Sequence, residues 1–248
     1  MTPVTKNDAR RIYLASDAKL VFQEGYDLFY EDFSERNGAQ PYLAAGCLSV
    51  RSDSDWLVHA LTQFSDPVKA GEETAKLMKT GERLYFCILG DAPEPFRNCA
   101  GAYKLTREAR PCTDPEIRPI VPEDAARIAD CCAPDPEDTD VGQLIAREAL
   151  VWSEDPSLIA DSPLGLFRNG TLCGFVEGHF SRSTGITPIN IFVNRAYRGR
   201  GYAKRLLNAF CTDPGTVYCY SCVKQNTASL KTALSSGFQK VGEYLRIV

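Results

Sequence analysis

The sequence predicts an α/β (α+β) protein in which helices flank a mixed β-sheet, and three features predict it. From residue 117 onward the apolar pattern switches between a period of two and a period of 3.6 in the order β-α-α-β-β-β-α-β-α-β. Asn169-Gly170 stands between two apolar strand patterns, the strongest short-range hairpin signal in the chain. The apolar run Ile189–Val193 passes through a turn with two glycines into an amphipathic stretch that opens at Ala203.

Taken in order, residues 17–33 and 56–79 carry the mixed apolar spacing of helices. Residues 83–89 and 99–105 read as strands joined by the turn-rich segment 90–98. Four prolines and many charges between residues 107 and 123 read as a linker. It divides the chain into an N-terminal α+β domain at 1–110 and a second domain at 116–248. After it come a strand at 117–121 and a helix at 122–132 with Ala125, Ala126, Ile128 and Ala129 inward. A Pro/Asp-rich break at 133–140 precedes a second helix at 141–152. The hairpin strands occupy 164–168 and 171–180, and a third strand 188–193. A helix at 203–210 places Ala203, Leu206, Leu207 and Phe210 on one face. A strand at 217–223, a helix at 227–236 and a strand at 238–247 complete the order.

The bulk properties exclude several classes. Of the 248 residues, 44% are hydrophobic and 24% charged, the balance of a soluble globular chain. A net charge of −4 gives no reason to expect a nucleic acid or an anionic membrane as partner. The polar first residues carry no signal-peptide pattern, and no apolar run approaches the roughly 18 residues of a spanning helix. A cytoplasmic location is expected, and with it ten reduced cysteines. Cys219-Tyr-Ser-Cys222 has the spacing of a metal or redox motif. It lies in a strand pattern, where positions three apart face opposite ways, and no second such pair exists. No metal site is expected.

The chemistry concentrates at Arg198-Gly199-Arg200-Gly201-Tyr202-Ala203. Glycines let a backbone approach a ligand closely, and the first N–H groups of a helix point out of its N-terminus, where the macrodipole favours an anion. Together they make a pyrophosphate cradle, with Arg198, Arg200, Lys204 and Arg205 adding positive charge. The string is neither a Walker A motif nor a dinucleotide fingerprint, since the Lys-Ser/Thr pair and the third glycine are missing.

This string resembles the Arg/Gln-x-x-Gly-x-Gly/Ala acetyl-CoA loop of the GNAT acetyltransferases. Twenty-three residues after it, the segment from Asn226 to Gly237-Phe238 is similar to their second signature, an asparagine opening a helix that ends in Gly-Phe. The resemblance covers residues 116 to 248. It implies a mostly antiparallel sheet flanked by helices, with acetyl-CoA as cosubstrate. By resemblance, Phe192 and Val193 offer backbone groups to the pantetheine arm, and the amides of Arg198, Gly199, Arg200, Gly201, Tyr202 and Ala203 hold the pyrophosphate. Asn226 bonds the pantetheine and Ser229 lies near it; Asn226 also fits a plain helix N-cap. The first 110 residues loosely echo the helix-hairpin opening of the second half. They read as a degenerate copy that has lost its cofactor loop and walls the acceptor cleft, as in two-domain glycine-N-acyltransferase-like members, or as an unrelated α+β cap.

Acyl transfer to an amine needs a deprotonated amine, a polarised carbonyl and a proton for the departing thiolate. The family often takes that proton from a tyrosine seven residues after the asparagine, where this chain has Ala233. Tyr218, Tyr220 and Tyr244 on neighbouring strands are the substitutes, with Tyr220 carried forward as the acid. By alternation Cys173, Phe175, Glu177 and His179 share one strand face, which makes Glu177 and His179 candidates for the base. The plainer reading of that pair is a polar strand end near solvent. The resulting expectation is transfer of an acetyl group from acetyl-CoA to a primary amine of a small molecule or amino acid, by direct attack in a ternary complex, in a chain that can pair as a homodimer. Its rivals are a protein N-acetyltransferase and a catalytically weak acyl-CoA-binding or regulatory protein.

Overall fold

The computed structural model describes residues 1–21, 40–52, 55–134, 142–155, 157, 159, 163–182 and 184–247. Most of the helix expected at 17–33 and most of the break expected at 133–140 lie outside these residues. Among the described residues, twelve strands form one sheet. The first half supplies Thr2–Pro3 (β1), Tyr42–Ala44 (β2), Cys47–Ser52 (β3), Asp55–Ala60 (β4), Arg83–Leu89 (β5) and Gly101–Glu108 (β6). The second supplies Ile117–Pro119 (β7), Leu164–Arg168 (β8), Thr171–Gly178 (β9), Ile186–Val193 (β10), Val217–Val223 (β11) and Gln239–Ile247 (β12). The helices are Lys6–Ala15 (α1), Ala18–Val21 (α2), Pro67–Ala75 (α3), Ala125–Cys132 (α4), Gly142–Glu154 (α5), Tyr202–Phe210 (α6) and Thr227–Ser235 (α7).

The strand order is β1-β2-β3-β4-β5-β12-β6-β11-β10-β9-β8-β7. Only β4/β5 and β10/β11 are parallel, joined by crossovers through α3 and α6. All other neighbours are antiparallel. The mixed, mostly antiparallel sheet with flanking helices is the expected fold class. Its order reads alike from both ends: four antiparallel strands, a parallel crossover, then the last strand of the other half.

Two cores cover the second half of the sheet. One packs Leu206 and Leu207 of α6 and Ala233 of α7 against Tyr218, Tyr220 and Cys222 of β11. The other packs Ile128 and Cys131 of α4 and Ala146 and Ala149 of α5 against Phe175 and Phe192. On the first half, Cys47, Val58, Phe86 and Leu245 form a third core, and Ala9 and Tyr13 of α1 cover Leu48 and Val50 in a fourth.

Three expectations are corrected. The helix at 56–79 is strand β4 followed by a loop and α3. Trp56, Val58, His59 and Ala60 are all buried, and a run buried on both faces carries no period that separates strand from helix. The helix begins only where the Asp66 side chain accepts from the Lys69 amide, with Pro67 in its first turn. In α4 the buried stripe is Ile128, Cys131 and Cys132, while Ala126 is exposed, because cysteines take the inward positions. Finally, Cys173 does not share a face with Phe175. The β8/β9 register shifts between Leu166 and Phe167, so Cys173 is an extra residue that joins the α6 core while Phe175 joins the other.

Candidate functional site

Strand register creates the site. β10 and β11 pair from Ile186↔Val217 to Ile189↔Tyr220. Beyond that point β10 follows β9 as far as Val193, and β11 follows β6 as far as Val223. The two parallel strands therefore fork after Ile189 and Tyr220, and a cleft of about 870 Å³ opens between them. One edge of β10, from Asn190 to Val193, turns its backbone toward this cleft instead of toward another strand. A Cβ at Gly174 would lie 2.5 Å from the Phe192 carbonyl, so glycine is what lets β9 follow β10 away from β11.

The turn after β10 is braced by side chains. Asn194 Oδ1 accepts from the Ala196 amide at 3.0 Å, and its Nδ2 donates to the Cys131 carbonyl at 2.8 Å, rooting the turn on α4. Arg198 Nε donates to the Val193 carbonyl at 2.9 Å, and the Arg198 amide donates to the Arg195 carbonyl at 3.2 Å. Gly199 and Gly201 then take φ of +75° and +76°, a conformation that other L-residues avoid. Gly201 directly precedes α6, and Arg205 N–H donates back to its carbonyl at 3.2 Å. The amides of Tyr202, Ala203 and Lys204 precede that bond and point out of the helix N-terminus. A Cβ built at Gly199 or Gly201 meets nothing within 4 Å, so the space before these amides is open. Donors, dipole and space together fit a phosphate group.

The charges divide. The Arg200 guanidinium lies 5.5 Å from the Tyr197 ring centre, and Lys204 lines the cleft. Arg205 turns away: it pairs with Asp114 at 2.6 Å and Glu116 at 2.7 Å, tying α6 to the segment before β7. It serves structure, which corrects its expected place beside the cradle. Tyr202 is buried beneath the helix start, its hydroxyl 3.5 Å from Arg168.

The facing wall is β11 and the first turn of α7. Asn226 Oδ1 accepts from the Ser229 amide at 2.9 Å, a true N-cap, and both residues line the cleft. The hydroxyls of Tyr220 and Ser229 are 2.8 Å apart. Burial pushes the Cys219 thiol up to about 12 and also raises that of Cys222. Both residues border the cleft, and both thiols are protonated at neutral pH.

Of the proposed catalytic groups, Tyr220 lines the cleft and is 7% exposed. Glu177 is half-buried and sits directly across from Asn190, whose Nδ2 donates to it at 3.2 Å; Asn190 is the one that lines the cleft. His179 lies past the end of β9 and is exposed. Sequence reasoning gave no role to Asn194, expected the Arg198 side chain as positive charge by the cradle where the structure has it bracing the turn on the Val193 carbonyl, and did not join Tyr220 to Ser229. The last pair spans a strand, a turn and a helix, so no short motif marks it.

Residues 124–238 match the model of the acetyltransferase (GNAT) family. No curated protein matches the chain. Among solved structures, an acetyltransferase from the GNAT family of Colwellia psychrerythraea aligns at 13% identity and a TM-score of 0.56, over 99% of this chain and 97% of that one. A GCN5-related N-acetyltransferase from Sphaerobacter thermophilus aligns at 14% and 0.51, over 99% and 93%. A Drosophila protein aligns at 14% and 0.51, over 99% and 97%. At such identities these neighbours establish the fold and nothing finer.

Proposed function

We propose that the protein, whose residues 124–238 match the acetyltransferase (GNAT) family model, moves an acetyl group from acetyl-CoA onto a primary amine of a small molecule or amino acid, by direct attack within a ternary complex. The observation that carries this reading is the strand fork that ends in a positive-φ glycine turn at a helix N-terminus. The residues present fit the cosubstrate. Amides of the Gly199–Lys204 segment would take the pyrophosphate, the free edge of β10 at Phe192 and Val193 would take the pantetheine amides as a strand takes a neighbour, and Asn226 and Ser229 would face them. Acetyl-CoA supplies an activated thioester carbonyl. The protein aligns it, holds dipoles at the carbonyl oxygen and admits the amine. Direct attack is favoured over a cysteinyl intermediate because the thiols of both cysteines bordering the cleft are held protonated by burial. Glu177 of β9, to which Asn190 of β10 donates a hydrogen bond, is the carboxylate that would take the amine proton, and His179, exposed past the strand end, is the outer candidate.

The first 110 residues are, in this reading, a degenerate copy of the second half. Support comes from the matching strand order, with β4/β5 standing where β10/β11 stand. The counterpart of the glycine turn is Thr62–Asp66, and α3 starts on its own anion: the Asp66 carboxylate occupies its N-terminus and Pro67 brings no N–H. β4 also stays paired to β5 through His59↔Cys87, one residue short of its end, which leaves no fork. The chain then holds one acetyl-CoA.

A second reading, an acyl-CoA-binding protein with little turnover, is favoured by Ala233, which is fully buried and has no hydroxyl. Isothermal titration with acetyl-CoA and with free CoA, followed by thiol release in the presence of primary amines, tests both. Micromolar binding with amine-dependent thiol release supports the enzyme, and binding without release of thiol under any amine supports the second reading. A folded protein that binds neither ligand refutes both.

A further inference from the structure

We infer that the Tyr220–Ser229 hydroxyl pair at the apex of the strand fork delivers the proton to the departing CoA thiolate, an inference that rests on the acetyl-transfer reading above. Its starting point is length. The anion cradle begins just beyond Val193, and the fork closes at Ile189↔Tyr220. Four residues of extended strand separate them, about 13 Å at roughly 3.3 Å per residue. A pantetheine arm lying along the free β10 edge from the cradle spans that distance and brings its sulfur to the apex, where Tyr220 is the last residue of β11 paired with β10.

The other cleft tyrosines are at the wrong end. Tyr197 lies in the turn before the cradle, with Arg200 against its ring, and Tyr202 opens α6 under Arg168 and Arg205. Tyr220 is buried to 7% exposure, its ring tilted against Phe238 with centres 5.8 Å apart, so its direction is fixed by packing. Its hydroxyl meets Ser229 Oγ at 2.8 Å, and Ser229 is itself held by the Asn226 cap. A phenol that both faces the cleft and touches a second hydroxyl can give up a proton and recover one.

The step balances. The amine lone pair forms the C–N bond at the thioester carbon. Collapse breaks C–S and leaves the electron pair on sulfur, which takes the proton of Tyr220 Oη. Tyr220 regains a proton from solvent through Ser229, and the nitrogen sheds its surplus proton to solvent. The sum is amine and thioester giving amide and thiol, with no redox partner. Tyr220 is the catalytic residue here and Ser229 a positioning residue.

The test uses the full chain and free CoA, so it does not need the acceptor. A hydroxyl donating to sulfur stabilises the bound thiolate, so the thiol of bound CoA titrates lower in the wild type than in Tyr220→Phe, by about one pH unit, read by ultraviolet thiolate absorbance. Ser229→Ala moves it part of the way, and Ser229→Thr restores it. Titration calorimetry shows Tyr220→Phe binding CoA within about threefold of wild type, and circular dichroism shows it folded. With acetyl-CoA and the best amine from the twenty amino acids and spermidine, Tyr220→Phe loses kcat about a hundredfold, together with the alkaline limb of the kcat profile. If CoA binds both proteins and its thiol titrates identically in them, this proposal is overturned while the acetyl-transfer reading stands. If wild type does not bind CoA, both are overturned.

Discussion

Gly201 carries the clearest single-residue prediction. Its φ of +76° places it where a side chain is strained, and the space its Cβ would enter is the space before the helix amides. Gly201→Leu is expected to weaken CoA binding at least tenfold while lowering stability by only about 1 kcal/mol, checked by titration calorimetry and urea unfolding. Unchanged affinity would move the cradle elsewhere. His59 makes a different prediction, about pH. It is fully buried beside Tyr13 in the first half, and burial holds its pKa down at about 3. The unfolded chain protonates it near 6.5, so the folded state binds fewer protons below that value. Its contribution is complete above about 6.5 and is lost as the pH falls toward 3. Between pH 6.5 and 5 the unfolding free energy should fall by about 2 kcal/mol, and His59→Gln should flatten that slope. A slope unaltered in the variant would assign acid sensitivity to other groups.

At the scale of elements, Arg107 locks a strand of the first half to the helices of the second. It is 5% exposed on β6, and its guanidinium donates to Asn208 on α6 at 2.6 Å and to the Ser236 carbonyl at the end of α7 at 2.7 Å. Helix ends leave carbonyls without intrahelical partners, and this one is met by a buried charge. Arg107→Met should destabilise the protein by about 2 kcal/mol by orphaning both acceptors. Because α6 and α7 form the two walls of the cleft, CoA affinity should fall with it, measured on the folded variant. A variant with wild-type unfolding midpoint would show that packing, not the guanidinium, holds the helices. Asp124 is a second pin, with Arg118 and Arg127 at 2.7 and 2.8 Å on a carboxylate 1% exposed at the start of α4. The Arg118 hydrogen bond foremost holds its pKa below the usual carboxylate range, so its stabilisation is present at neutral pH and disappears on acidification below about 4.

For the whole molecule, the exchange of last strands decides what can fold alone. β6 of the first half lies between β12 and β11, and β12 lies between β5 and β6. Residues 116–248 without the first half would leave one edge of β11 and both edges of β12 unpaired. That fragment is expected to associate or stay unfolded by circular dichroism and gel filtration, and to recover CoA binding only on addition of residues 1–110. A monomeric, CoA-binding fragment would refute this. Titration of the full chain should give one CoA per chain, since α3 closes its own N-terminus with Asp66; a stoichiometry of two would reopen the first half as a site.

Local chemistry made most of the second half legible. The strands 164–168 and 217–223 fall on the predicted residues, and the helices at 203–210 and 227–236 start or end within one residue of prediction, because one-sided burial imposes a period that the sequence must display. The glycine turn and the Asn226 cap were legible for the same kind of reason: positive φ and helix starts demand particular residue types. The first half hid β3 and β4, since a strand buried on both faces shows no alternation, and β2, whose three half-buried residues are too few to show a period. Tertiary structure alone decided three things: the fork between β10 and β11, the strand exchange, and the meeting of Tyr220 with Ser229. Each depends on which edge a strand finds as its neighbour. Hydrogen bonding between backbones is indifferent to side-chain identity, so the sequence of one strand does not name its partner.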